Sequence, residues 1–354
     1  MNALEPHRRR IVSLWRWLTL ALPMLAVGGA GYGLAAETNR LAAPLTGVEL
    51  FNRHEFEQAT AVFQSELRRN SKDTNALLYL GRIAFEQNRL DDAARYFERV
   101  TTAAPQSSIA FHWLGRVYGI QARDLGPPMG IGPARRTKRA LEKAVALDPD
   151  NLDARLDLAT YLREAPGIVG GSRKAALGQI EEIDRRDRYI GALARGDLAL
   201  ADKKLVDAQG HFERAIQLEP KKTDAYYRLG VVHQRNRRFD DAFRCFEKML
   251  ELDATEKRAY YQIGKTADVS GQRLDQGEQA FRAYLECRPF FIMPNHASTH
   301  RRLGNIYLKK GLPAAAREQY LAALKLAPND KETAAALKEL DDAQSRKQIG
   351  GGRP

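Results

Sequence analysis

His296 and His300 stand four residues apart, a spacing that could set two imidazoles on one helix face and on one metal ion. No third ligand accompanies them, so the pair reads as helix surface. Residues 165–176, APGIVGGSRKAA, place a proline, three glycines and a serine close to Arg173 and Lys174, the composition of a loop that cradles a phosphate. A phosphate loop follows a strand and keeps the spacing G-x-x-x-x-G-K-[ST], which Gly167, Gly170 and Gly171 do not keep. A second glycine-rich stretch, RDLGPPMGIGPARRTKR (123–139), breaks G-x-G-x-x-G because Arg135 follows Gly130 and Gly132. Asp91/Asp92 and Asp240/Asp241 recur in matching surroundings, where paired acids suit the positive end of a helix better than acid–base catalysis.

The elements that position these residues emerge from self-similarity. LLYLGRIAFEQNRLDDAARYFERVTTAAP (77–105), AYYRLGVVHQRNRRFDDAFRCFEKMLELDA (225–254) and THRRLGNIYLKKGLPAAAREQYLAALKLAP (299–328) share one skeleton. A leucine precedes a glycine, an alanine lies twelve residues on, and an aromatic follows four later. Proline often closes the unit, as at Pro105, Pro149, Pro220, Pro289 and Pro328. The marker glycines are Gly47, Gly81, Gly115, Gly196, Gly230, Gly264 and Gly304, several of them 34 residues apart, with Ala159 taking the place once. The alanine series is Ala59, Ala93, Ala176, Ala208, Ala242 and Ala316; the aromatic series is Phe63, Phe97, Phe212, Phe246, Phe281 and Tyr320.

This skeleton resembles the tetratricopeptide repeat family over about residues 40–345. The resemblance implies an all-α fold, an α-solenoid in which helix-turn-helix units wind into a right-handed superhelix. Small residues at the glycine and alanine places let helix A and helix B approach, and large ones such as Leu80, Tyr118, Phe246 and Tyr307 fill the space between neighbours. Eight units are expected, at about 40–73, 74–107, 108–151, 152–188, 189–222, 223–256, 257–291 and 297–330. Residues 330–345 read as a capping helix with a polar outer face, and 346–354 as a disordered tail. Both glycine-rich stretches then become lengthened A–B loops of consecutive units, emerging on one edge, with Ser172 placed to cap the following helix. By unit position Cys245 and Cys287 are seven residues out of step on neighbouring B helices, about 10 Å of rise, so two buried thiols are expected. The apolar insertion RPFFIMPN (288–295) is expected to pack onto the solenoid.

The 354 residues are 44% apolar and 28% charged, with net charge +12, which favours an acidic partner. Residues 1–36 stand apart. MNALEPHRRR is basic and LWRWLTLALPMLAVGGAGYGLAA is apolar, the pattern of a cleaved export signal or of an uncleaved membrane anchor. Either way the remainder is expected outside the inner membrane, periplasmic or exported, which lowers the odds of a nucleic-acid partner. VALDPDNLDARLDLATYLREAPGIVGG is similar to a stretch of exported bacterial tetratricopeptide proteins.

In that family helix A lines the concave surface at unit positions 2, 5, 9 and 12. Carried onto this chain, these places hold Asp224, Tyr227, Val231 and Gln234, then Arg258, Tyr261, Lys265 and Asp268, then Ser298, Arg301, Asn305 and Leu308. Tyr227, Arg258, Tyr261, Lys265, Arg301 and Asn305 are the candidate partner contacts. Arg301 with Asn305 is similar to the pair that some relatives close on a peptide carboxylate. The resemblance implies a non-catalytic scaffold that binds a protein or peptide, acidic or carboxylate-terminated, and needs no cofactor or metal. The alternative is a subunit of an envelope assembly or polysaccharide-export machine.

Overall fold

A computed structural model describes residues 45–287 and 294–350, with side chains to 346. The expectations for residues 1–36, for Phe290, Phe291, Ile292 and Met293, and for the last four residues lie outside this range. Among the described residues there are seventeen α-helices and no strand. They divide between Asp187 and Arg188 into two compact bodies.

The first body holds α1 (Gly47–Asn52), α2 (Phe56–Arg69), α3 (Thr74–Glu86), α4 (Leu90–Ala103), α5 (Ser108–Leu125), α6 (Ile131–Leu147), α7 (Leu152–Glu164) and α8 (Arg173–Arg186). The second holds α9 (Arg188–Ala201), α10 (Leu205–Leu218), α11 (Thr223–Arg235), α12 (Phe239–Leu252), α13 (Lys257–Ser270), α14 (Leu274–Leu285), α15 (His296–Lys309), α16 (Pro313–Leu326) and α17 (Lys331–Gly350). In each body successive helices pack as pairs, and each odd-numbered helix up to α15 is the A helix of its pair. The terminal helix continues to Gly350, past residue 345, where the sequence reading ended it. RKQI holds no glycine or proline, so the capping helix runs on to Gly350.

Side-chain caps start several A helices by accepting from backbone N–H groups that have no helical partner. Asp73 accepts from the N–H groups of Asn75 and Ala76, both at 3.0 Å. Asn151 accepts from Ala154 at 3.0 Å and Asn295 from Ser298 at 2.9 Å. At the other end a single left-handed residue turns the chain into helix B: His54, Asn88, Lys203 and Arg237 have φ between 56° and 61°. At Arg237 the turn closes through Arg237 N–H to the Gln234 carbonyl (3.1 Å) and Arg238 N–H to that of His233 (2.9 Å).

In six of the eight pairs the marker glycine meets the aromatic sixteen or seventeen residues later. A β-carbon on Gly230 would lie 2.4 Å from Cε1 of Phe246, and one on Gly196 would lie 2.3 Å from Cε1 of Phe212. The same collision separates Gly47 from Phe63, Gly81 from Phe97, Gly264 from Phe281 and Gly304 from Tyr320. Phe246 therefore fills space inside its own pair, against its own glycine, as well as facing the next pair. At Gly115 the partner is Leu141 instead of an aromatic, at 2.6 Å. These rings are buried, as are the alanines one turn before five of them.

Of residues 123–139, expected as a loop, only 126–130 form the connection, and the rest extend α5 and α6. The two lengthened connections pack together within the first body. Val169, in a 3-10 turn over Gly167–Val169, packs with Ala122 and Ala134 and accepts a hydrogen bond from the Tyr161 hydroxyl at 2.8 Å. Ser172 caps α8 by accepting from the Ala175 N–H at 3.2 Å. The stretch is an inter-helix connection.

Overpacking at the glycine contact should be costly, whereas an exposed helical glycine has nothing to collide with. Gly230→Ala is expected to lose ~1–3 kcal/mol in urea unfolding. Gly210→Ala, in α10 with open space around it, is expected to gain up to about 1 kcal/mol from helix propensity. Equal effects at the two sites would show that the ring contact does not set the helix spacing.

Candidate binding interface

In the second body the A helices α9, α11, α13 and α15 carry a row of charges at successive turns. Arg228 is buried, and its Nε donates to both carboxylate oxygens of Asp197, each at 3.1 Å. Burial opposes its charge, and the carboxylates of Asp197 and Asp224 more than offset that. Arg258 donates from Nη1 to Asp224 at 2.7 Å and from Nε to Glu256 at 2.9 Å, with its guanidinium 5.2 Å from the Tyr227 ring centre. Asp268, on α13, receives Arg302 Nη1 at 2.8 Å and Lys309 Nζ at 2.9 Å, both from α15.

The six candidate residues separate into different roles. Tyr227 is partly exposed, and its hydroxyl accepts from Gln262 Nε2 at 3.2 Å. Arg258 is held by two carboxylates, as above. Tyr261 is only 8% exposed, with its ring 5.3 Å from that of Tyr284 and 5.8 Å from that of Phe281. Its ring belongs to the core, so it is not open to a partner as Tyr227 is. Arg301 reaches Glu332 Oε2 at 3.0 Å and lies 3.8 Å from Asp330, so it ties α15 to the start of α17. Asn305 accepts from the Tyr320 hydroxyl at 2.8 Å and lies 3.5 Å from Asp268. The Arg301/Asn305 pair is thus occupied by the protein's own groups, because the capping helix supplies carboxylates that the sequence pattern of one unit does not reveal.

Lys265 differs from all of these. It is half-buried on α13 and has no hydrogen bond or ion pair among the described residues. Burial, with Arg302 and Arg235 nearby, pulls its amine below the ordinary lysine range. Arg235, at the end of α11, is exposed and likewise unpaired among the described residues. Lys265 is a cation that the fold does not neutralise.

The first body carries a cluster outside the candidate set. The Arg82 guanidinium lies 4.5 Å from the Phe51 ring centre, 5.0 Å from Tyr79 and 5.6 Å from Trp113. Arg116 sits 4.7 Å over Trp113 and 3.6 Å from the Asp157 carboxylate, which also meets His112 Nε2 at 2.7 Å. Burial raises the carboxyl of Asp153 on the same helix, against the pull of His112 and Arg116. Arg82, His112, Arg116 and Asp153 occupy positions 9, 5, 9 and 2 of their units. Extending the same positional rule to the N-terminal units would have found them.

His296 and His300 do not face a common ligand. His296 Nε2 meets the Cys287 carbonyl at 2.8 Å, and His300 Nδ1 meets Gln319 Oε1 at 2.8 Å. Cys245 is buried beside a cleft of about 260 Å³ between α10, α11 and α12, and burial pushes its thiol up to about 12. It stays protonated and unreactive at neutral pH. Cys287 is partly exposed and donates its thiol to the Ala283 carbonyl at 3.4 Å.

Tetratricopeptide repeat models match residues 45–108, 199–267 and 297–330. Among curated proteins none matches the chain by sequence. Solved structures of similar fold include the APC/C hetero-tetramer Cut9-Hcn1, with TM-score 0.51 and 17% identity over 83% of this chain and 54% of that one. A monomeric mutant of IFIT1 with Gppp-AAAA gives TM-score 0.58 and 16% identity over 86% of this chain and 72% of that one. The human IFIT1 dimer with PPP-AAAA gives 0.56 and 16% over 86% and 74%. At such identities the likeness is one of fold. With glycine and aromatic in contact in pair after pair, and with the family's models matching in both bodies, the chain is a tetratricopeptide repeat protein.

Proposed function

We propose that this protein is a non-catalytic scaffold that binds an acidic protein segment along the A helices of its second body. Tetratricopeptide repeats suggest a protein–protein interaction scaffold, and such proteins are generally non-catalytic. The observation that carries the finer reading is Lys265: half-buried, beside other cations, and without a carboxylate among the described residues. A cation kept in that setting loses free energy until an anion meets it. A carboxylate on a bound segment would form a charge-assisted hydrogen bond there, with Arg235 at the rim and Tyr227 covering apolar parts of the segment. The basic and apolar character of residues 1–36 supports export from a bacterial cytoplasm, with the chain periplasmic or held at the inner membrane facing the periplasm. Retention of residues 1–36 would favour the alternative role in an envelope assembly or polysaccharide-export machine. Mass spectrometry of the native protein reads this directly: an intact Met1 supports the anchored subunit, and a start near Gly31 or Glu37 the cleaved scaffold.

The groove is tested with a labelled acidic decapeptide and its neutral glutamine counterpart. Lys265→Glu is expected to weaken the acidic peptide at least tenfold, about 1.4 kcal/mol, and Arg68→Glu with Arg69→Glu, on the exposed face of α2, to leave it unchanged. Lys265→Met should also lose binding, yet at no cost in melting temperature, because it removes a desolvated charge. Binding should fall as pH rises through the lowered pKa of this amine, earlier than an ordinary lysine would allow. If the α2 pair were the damaging one, or Lys265→Met bound like the parent, the groove reading would fail.

Arg301 calls for the opposite outcome. Reversing its charge would set a glutamate against Glu332 and Asp330 at the start of α17. Arg301→Glu is expected to lower the melting temperature and to expose the core around Leu340, as hydrogen exchange across α17 would report. Unchanged protection in α17 would show that Arg301 does not hold it.

A further inference from the structure

The two lengthened loops of the first body leave a specific surface that repeat packing does not use. Leu125 is 49% exposed, Met129 68%, Ile168 70% and Leu177 37%. All four lie on these loops or in the helical turns beside them, and in this body Ile109 is the one other large apolar side chain so exposed among the described residues. The loops form one edge, because Val169 of the second is buried against Ala122 and Ala134, which flank the first. Lys138 lies against Gly170, joining the two again.

The same edge is strongly basic. Residues 123–139 carry five cations, Arg123, Arg135, Arg136, Lys138 and Arg139, against the single acid Asp124. Arg123 pairs with Asp124, and Lys138 lies 3.6 Å from Glu142. Arg135, Arg139 and Lys174 are exposed and form no ion pair among the described residues.

We propose that this edge is a peripheral docking surface for an anionic lipid bilayer, with Met129 and Ile168 entering the interfacial layer and Arg135, Arg139 and Lys174 meeting the headgroups. The charge complements an anionic leaflet, which attracts basic residues lying within a Debye length of it. Met129 and Ile168 are separate exposed tips on the two connections. A fluid interface takes such tips without shape complementarity, whereas a protein partner needs about 800 Å² of matched surface on each side. Few apolar tips with several cations give weak, reversible and salt-sensitive binding. This surface is separate from the groove of the second body, and either proposal can fail without the other.

The full chain is floated with vesicles of phosphatidylcholine alone and of phosphatidylcholine with phosphatidylserine. The readout is the extra binding that phosphatidylserine confers, which discounts any apolar contact that residues 1–44 make with both vesicles. The parent is expected to bind the anionic vesicles roughly tenfold better and to lose that gain at high salt. Two variants, Met129→Asp with Ile168→Asp, and Arg135→Glu with Arg139→Glu and Lys174→Glu, should each abolish the gain. All five positions are exposed, so an unchanged helical circular dichroism signal verifies folding. A parent with no preference overturns the proposal and leaves the edge to a protein partner. A gain that survives in both variants also overturns it and moves the lipid contact elsewhere on the chain.

Discussion

The structure rests on one close contact, an aromatic ring laid over the bare α-carbon of a glycine on the opposite helix. Because the ring edge would come within about 2.3–2.7 Å of any β-carbon in the six aromatic pairs, helix A and helix B sit closer than two ordinary side chains permit. Each ring is thereby buried and adds apolar surface and dispersion contacts to the interior. A helix pair alone cannot cover its remaining apolar face, so pairs stack within each body and share their cores. Where the ring is missing, at Leu141, helix A and helix B are joined by five residues, 126–130, in place of the usual three. The standard turn with one left-handed residue is replaced there by the glycine-rich connection that frees the basic edge.

Charge is handled in the same repeating frame. The A helices present a polar side chain at almost every turn, and the fold neutralises most of them across neighbouring pairs: Arg228 with Asp197, Arg258 with Asp224, Arg302 and Lys309 with Asp268. These bridges are largely buried, so each cation gains Coulomb energy and loses hydration in comparable amounts. Their main effect is to fix which side chains remain available. Lys265 stands out because it pairs with no acid among the described residues and the charges acting on it are the cations Arg302 and Arg235. In the first body Arg82 and Arg116 lie over aromatic rings, and Arg116 also approaches the Asp157 carboxylate.

Much of this architecture was legible in advance because it repeats. A glycine, an alanine and an aromatic at constant spacing identify the family without any single position carrying the weight, and the helical fold follows from the period. The chain could also be read for where the repeat fails: the two long loops appear as extra glycines and prolines between helices, and Ser172 sits where a cap is needed. The capping helix was visible as well, although its run past residue 345 was not; RKQI, with no glycine or proline, carries it on to Gly350.

Side-chain partnership was not legible. Position 5 of a unit places both Tyr227 and Tyr261 on the same helical face, yet the first lies near the surface and the second is buried against Phe281 and Tyr284. Arg301 looks free within its own unit, and only the return of α17 brings Glu332 and Asp330 to it, thirty residues along the chain. Whether a charge is available depends on which acids lie within a few ångströms, and those come from other helices. The sequence by itself determined the repeat, its helices and the close packing inside each pair, because these depend on residues at fixed local spacing. Only the tertiary structure decided which cations are spent on the fold and which, like Lys265, are left without an acid, because that balance is struck between helices far apart in the chain.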